Sequence, residues 1–123
     1  MTLQELYANI DADYAEAIGR LRMDKLISRF IVRFMSDSSC ERVQEAWARG
    51  DEAGTFEAAH AAKGVCANLA LTKLGSLASD ICEALRPGND ALRASTDVDA
   101  LVAELSQVYD KTIAAIKAYQ ASL

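Results

Sequence analysis

The sequence predicts an all-α protein, an up-down-up-down antiparallel four-helix bundle with an additional short N-terminal helix. Three observations support this fold class. The 123 residues include one proline and six glycines, and alanine, leucine and glutamate, which favour helices, recur throughout. No segment alternates apolar and polar residues with the period of two that a half-buried strand requires. Long amphipathic segments are joined mostly by short links, and such helices pack best as an up-down bundle.

The beginning of the chain carries a helix start signal. Thr2 and Glu5 have the spacing of a capping box, in which each side chain hydrogen-bonds to the backbone of the other residue. Apolar residues follow at helical intervals, so we expect one or two short helices before the bundle. These residues are Leu3, Leu6, Tyr7, Ile10 and Tyr14.

Two amphipathic helices are predicted between residues 24 and 50. The first repeats apolar residues at i, i+3, i+4 and i+7, with Arg29 and Arg33 off the apolar stripe. The polar residues 36–39 interrupt this pattern. The second helix, in which we expect Trp47 to be a core residue, ends at Gly50, since glycine is common just after a helix C-terminus.

The next two helices are joined by a very short link. Asp51 is the predicted N-cap of a helix that extends to about Leu69, and Thr72 is the predicted N-cap of the following helix. Only Ala70 and Leu71 separate them, which forces an antiparallel hairpin. Residues 87–90 contain proline and glycine and break the chain. A final helix from about residue 96 carries the heptad-like apolar stripe of a bundle seam.

Composition and charge exclude several classes of function. The net charge of -5 would repel a phosphate backbone, so we expect no nucleic-acid partner. The N-terminus lacks the basic and apolar regions of a secretory signal. The most apolar stretch, residues 26–35, is broken by two arginines, which argues against a membrane span. These features predict a soluble, cytoplasmic protein.

The three cysteines, Cys40, Cys66 and Cys82, are odd in number and lack C-x-x-C spacing. This pattern predicts buried, reduced thiols instead of a disulfide framework or a zinc site. The chain has one histidine, His60, without paired metal ligands beside it. We therefore expect no metal and no cofactor in this chain.

A helical wheel of residues 51–69 separates an apolar face from the face that carries His60. The apolar face comprises Ala58, Ala62, Val65 and Leu69, flanked by Ala59 and Cys66. The opposite, outward face comprises Ala53, Phe56, Glu57, Lys63, Gly64 and Ala67, with Asn68 and Leu71 at its lower edge. The wheel thus predicts that His60 points into solvent, although Phe56 is also compatible with a core position at the bundle edge.

The neighbours of His60 suit the acceptance of a phosphoryl group. A neutral imidazole is nucleophilic near pH 7, and Lys63, one turn away, can balance the added negative charge. Gly64 lies directly beneath the ring, at a helical position where glycine costs about 1 kcal/mol relative to alanine. The missing side chain leaves space for the phosphoryl oxygens and for an incoming active site. A lone exposed histidine, by contrast, is usually only a solvated residue.

The segment His60-Ala61-Ala62-Lys63-Gly64, followed by residues 68–74 with the letters NLALTKL, resembles the histidine-containing phosphotransfer domain. The family pattern is a histidine, two residues, a Lys-Gly pair, a short helix-ending stretch and a leucine-bearing return helix. The helices on both sides fit the family's bundle across nearly the whole chain. The family often has leucine where Ala62 stands and glycine where Ala70 stands, and neither departure touches the proposed chemistry.

This resemblance implies that residues 1–123 form a single phosphotransfer domain with His60 as the phosphoacceptor. It implies reaction at the outer nitrogen, Nε2, while a hydrogen bond holds the inner nitrogen, and Glu57 is a candidate for that hydrogen bond. Lys63 is expected to contact the phosphoryl group, and Gly64 to provide clearance. Partner docking is expected over Ala53, Glu57, Ala67, Asn68 and Leu71.

The expected partners are response-regulator receiver domains and a hybrid histidine kinase, and the receiver is expected to supply magnesium. The chain lacks a Gly-rich phosphate loop, so we expect a phosphoryl carrier without kinase activity of its own. Because the sequence begins and ends with its own predicted helices, we also expect a freestanding relay protein, and we expect it to be a monomer. One alternative is a helical module that binds receivers or kinases without carrying phosphate. Another is an enzyme, but no nucleophile has a base at suitable spacing, and Cys66 lies on a different face from His60. The sequence does not reveal whether Arg29 and Arg33 border the docking face.

Overall fold

The computed structural model describes residues 1–123, which form eight α-helices and no strand. The helices are α1 (Leu3–Asn9), α2 (Tyr14–Leu21), α3 (Asp24–Phe34), α4 (Ser39–Ala48), α5 (Glu52–Leu69), α6 (Thr72–Leu85), α7 (Asp90–Ser95) and α8 (Val98–Ala121). None of them combines the length and the apolar character that a membrane span requires.

Helices α4, α5, α6 and α8 form the four-helix bundle that the sequence predicts. Around the bundle, α4 packs on α5, α5 on α6, α6 on α8, and α8 on α4. Helix α3 also packs on α5 and α8. The predicted interruption at residues 36–39 separates α3 from α4, and the Asp37 carboxylate accepts a hydrogen bond from the first backbone N–H of α4, that of Ser39, at 3.0 Å. The predicted all-α bundle is confirmed.

Hydrogen bonds at the helix ends test the predicted capping box and N-caps. The Thr2–Glu5 capping box is formed, and Asp51 caps α5 by accepting a hydrogen bond from the Gly54 N–H at 2.9 Å. The prediction that Thr72 caps α6 is wrong. Thr72 is the first helical residue, and its hydroxyl donates to the Ala70 carbonyl at 3.3 Å. The short helix α7 was not predicted from the sequence.

The N-terminal segment completes the link between α5 and α6. The Ala70 backbone is left-handed, with φ 55°, so the chain reverses there and the last carbonyls of α5 need partners outside the helix. The Tyr7 hydroxyl donates to the Leu69 carbonyl at 2.9 Å, and the Asp13 N–H donates to the Ala70 carbonyl, also at 2.9 Å. The segment before the bundle also contributes side chains to the hydrophobic core, whose residues range from Leu3 to Tyr119.

We predict that Tyr7→Phe lowers the free energy of unfolding by about 1–2 kcal/mol, because the buried Leu69 carbonyl loses its partner. Tyr14→Phe is the matched control, since its hydroxyl bonds to Asp24 at an exposed position, and we expect its effect to stay within about 0.5 kcal/mol. Urea unfolding of the two variants measures the difference. Equal losses in both would show that the Tyr7 hydrogen bond contributes nothing specific.

Candidate functional site

His60 lies in the middle of α5 and is exposed, whereas the neighbouring alanines on the opposite face are buried. Ala58, Ala59 and Ala62 are 5% exposed or less, and they pack into the bundle core. The side chain of His60 is thus held on the outside by a helix whose other face is fixed by burial. This arrangement agrees with the helical wheel.

Most residues of the predicted outward face surround His60 on the surface. Ala53, Glu57, Gly64, Ala67 and Asn68 are exposed. Lys63 is half-buried. A Cβ atom added to Gly64 would meet nothing within 4 Å, so the space beneath the imidazole ring is open in the free protein.

The assignment of Leu71 to the docking face is wrong, because its side chain is only 2% exposed and belongs to the core. Helix α5 ends at Leu69, and Ala70 has left-handed backbone angles. The helical wheel therefore does not apply to Leu71, which turns inward to begin the connection to α6.

The inner nitrogen of the His60 ring faces α6 and not Glu57. The distance from Nδ1 to the Sγ atom of Cys82 is 3.9 Å, whereas Glu57 makes no hydrogen bond with the ring and lines a separate cavity between α4 and α5. The prediction that Glu57 holds the inner nitrogen by a hydrogen bond is therefore wrong. Because Nδ1 is turned towards α6, Nε2 lies on the far side of the ring.

Phe56 covers one face of the His60 ring. The two rings are stacked, with centroids 6.3 Å apart and an angle of 28° between their planes. Phe56 is half-buried and packs against the core, and the Arg86 guanidinium lies 5.4 Å from the centre of its ring. Phe56 thus combines the two roles considered from the sequence, a core residue at the bundle edge and a neighbour of the histidine.

A small network of charges lies beside the imidazole, on the α6 side. The Glu83 carboxylate accepts two hydrogen bonds from Arg86, at 2.9 and 3.2 Å, and is 4.0 Å from the Lys63 ammonium. The hydrogen bonds to Arg86 hold the pKa of Glu83 below its usual value, and the charges of Arg86 and Lys63 act in the same direction. Glu83 is therefore ionised at neutral pH.

Three neighbours of His60 were not identified from the sequence: Cys82 and Glu83 of α6, and Arg86 directly after the end of that helix. One signal was available, since a two-residue link sets the register of an antiparallel helix pair. Residues at nearly equal distances along the chain from that link lie close together, and to within one residue this rule places Cys82 beside His60 and Arg86 beside Phe56.

Arg33 borders the exposed face of α5, whereas Arg29 does not. A groove of about 280 Å³ lies between α3 and α5, and both Arg33 and Asn68 line it. Arg29 is exposed on α3 but is not among the residues that line this groove.

His60 stands on open surface. None of the five cavities is lined by it. The structure also contains no cluster of three or more side chains arranged to hold a metal ion. An exposed imidazole with one nitrogen facing a neighbouring helix and a cation nearby is an arrangement that can take up a phosphoryl group from a second protein.

The family profile of the Hpt domain matches residues 31–111, which contain all of α4, α5, α6 and α7 and much of α8. The chain belongs to the Hpt domain family. Hpt domains are phosphotransfer modules of phosphorelays, phosphoryl carriers and not enzymes, and they work with receiver or kinase components of two-component systems. Comparison with curated proteins and with solved structures found no significant match.

We predict that the thiols of this Hpt domain are unreactive in the native state. All three cysteines are free and buried, burial raises the pKa of the Cys82 thiol, and a hydrogen bond with Cys40 together with burial raises that of Cys66. A raised pKa means less of the reactive thiolate at any given pH. A disulfide reagent at pH 8 should modify these thiols far more slowly than in guanidinium, where all three react. Immediate modification of one native thiol would contradict the prediction.

Proposed function

We propose that residues 1–123 form a single phosphotransfer domain in which His60 accepts a phosphoryl group from a receiver phospho-aspartate and donates it to another receiver. The exposure of His60, on the face of α5 opposite the core, carries this proposal in a chain of the Hpt family. The expected partners are response-regulator receiver domains and a hybrid histidine kinase.

The reaction uses Nε2 as the nucleophile. In the tautomer that this reaction requires, Nδ1 carries the proton and faces the Sγ atom of Cys82 at 3.9 Å, and the lone pair is on Nε2. Nε2 attacks phosphorus in line, the P–N bond forms, and the P–O bond of the acyl phosphate breaks. The electron pair leaves with the aspartate carboxylate, and the ring proton stays on Nδ1. The same steps in reverse pass the phosphoryl group to the next receiver.

The residues around the His60 ring contact the phosphoryl group, leave space for it or dock the receiver. Lys63 contacts the phosphoryl oxygens, and Gly64 leaves space for them. Ala53, Glu57, Ala67 and Asn68 form the docking surface, with Arg33 at its edge. The receiver supplies Mg²⁺ and most of the transition-state stabilisation, so this monomeric carrier requires no metal and no kinase activity of its own.

Phosphotransfer from labelled receivers of the same organism tests the function. We expect the wild-type chain to acquire an acid-labile, alkali-stable phosphoryl group and His60→Gln to acquire none, since glutamine has no nucleophilic ring nitrogen. Circular dichroism must show that the variant is folded.

A different result would favour the module that binds without carrying phosphate. In that case the wild-type chain binds the receivers, remains unlabelled, and His60→Gln binds equally well. Label that persists on His60→Gln would instead place the phosphoacceptor elsewhere in the chain.

The clearance at Gly64 gives a second test. Gly64→Leu should stabilise α5 by about 0.5–1 kcal/mol, because leucine is the better helix former. It should slow phosphotransfer by roughly a hundredfold, because its side chain displaces the docked receiver from the ring. Gly64→Ala is the matched variant and should retain most of the transfer rate. Unchanged transfer in Gly64→Leu would refute the steric role.

A further inference from the structure

The two cations nearest to His60 are already paired with a carboxylate of the same chain. Arg86 makes a two-point contact with Glu83, and Lys63 approaches the same carboxylate from α5. The side chains of Lys63, Glu83 and Arg86 are all about 40% exposed, so an anion arriving from solvent can reach them.

The Glu83 carboxylate lies beside the His60 ring, on its α6 side. Glu83 follows Cys82, whose Sγ atom faces the imidazole Nδ1. Arg86 extends from the same turn of α6 over Phe56, the residue stacked on the His60 ring. Glu83 lies in the last turn of α6, where the helix dipole disfavours a negative charge. Its partners there are the same cations that a phosphoryl group on His60 would attract.

We propose that Glu83 competes with the phosphoryl group for Lys63 and Arg86. Its carboxylate pairs with both cations while His60 is unphosphorylated, and this makes phosphorylation of His60 less favourable. This inference rests on the proposed function of His60. When the phosphoryl group arrives, the two cations are shared between it and Glu83, and the carboxylate repels the phosphoryl oxygens. Glu83 thus makes the phosphoryl group easier to donate.

Phosphorylation by phosphoramidate tests this idea without a receiver. Nε2 attacks phosphorus, the new P–N bond forms, the P–N bond of the donor breaks, and ammonia leaves with the electron pair. Because the donor is an anion, we expect Glu83→Gln to react about three- to tenfold faster than wild type, since the freed Lys63 and Arg86 can attract the donor across a few ångströms on a partly exposed surface. The difference should shrink at high salt, which screens such charges.

Matched variants separate this effect from a general change in charge or packing. Asp80→Asn removes the same charge from α6 at an exposed position without an ion pair, and we expect its rate to equal that of wild type. Glu83→Asp keeps the charge and should remain slow. In a background of Lys63→Gln and Arg86→Gln, the added Glu83→Gln should accelerate the reaction by about twofold or less, because only direct repulsion remains.

The equilibrium with a phosphorylated receiver provides the second measurement. Glu83→Gln should move the phosphoryl group towards His60 by a similar factor, and this equilibrium constant is independent of how the receiver docks. Equal phosphoramidate rates in Glu83→Gln and wild type would overturn the proposal, as would equal acceleration by Asp80→Asn. If no receiver labels the chain, the proposed relay function fails, while the phosphoramidate rates still decide the role of Glu83.

Discussion

The two-residue link between α5 and α6 is the constraint on which the candidate site depends. Helices joined by so short a link must run antiparallel and in one register, and here Ala70 and Leu71 make the reversal. That register brings Cys82 opposite His60 and Arg86 opposite Phe56. The link is stabilised from outside the bundle, since Tyr7 and Asp13 donate hydrogen bonds to the last carbonyls of α5 and of the link itself. A segment remote from His60 in sequence therefore helps to hold the site together.

Small residues on the facing sides of α5 and α6 let the two helices approach closely, so that residues paired by the register can touch. The buried face of α5 is rich in alanine, and a Cβ atom added to Gly75 of α6 would lie only 3.1 Å from the Cβ of Cys66. With this spacing, a side chain as short as that of Cys82 reaches the histidine ring. The close packing of α5 against α6 thus shapes the core and also places Cys82 beside His60 at the surface. A larger residue at Gly75 would separate the helices and remove α6 from the site.

The sequence predicted those features that depend on one helix at a time. The bundle, the exposed position of His60 and the N-cap at Asp51 follow from periodicity and local hydrogen bonding, and the structure agrees with them. The errors arose where the chain leaves a helix. A helical wheel does not describe Leu71, which lies beyond the end of α5 and is buried, and Thr72 is the first helical residue of α6 and not its cap.

The α6 residues of the site escaped prediction for a related reason. Cys82 and Glu83 reach the surroundings of His60 only through tertiary packing, which hydrophobic periodicity does not describe. Local spacing along α5 instead points to Glu57, which lies one turn from His60 on the same helix. Adding the register of the hairpin would have pointed to α6. The functional roles of His60, Lys63 and Gly64 remain predictions that the structure makes testable.

A phosphoryl carrier must bind its phosphoryl group and also release it, and under the proposed function of His60 the charges around the ring would serve both requirements. The chain as a whole is acidic, with a net charge of -5, yet Lys63 and Arg86 place two positive charges near the imidazole. Glu83 compensates one of them, so the phosphoryl group meets an environment with a net charge near +1, less positive than the two cations alone would provide. An excess of positive charge would stabilise the phosphorylated state and slow its discharge. Because the compensating carboxylate belongs to α6, the same hairpin that positions the ring would, under the proposed role of Glu83, also set how firmly the phosphoryl group is held.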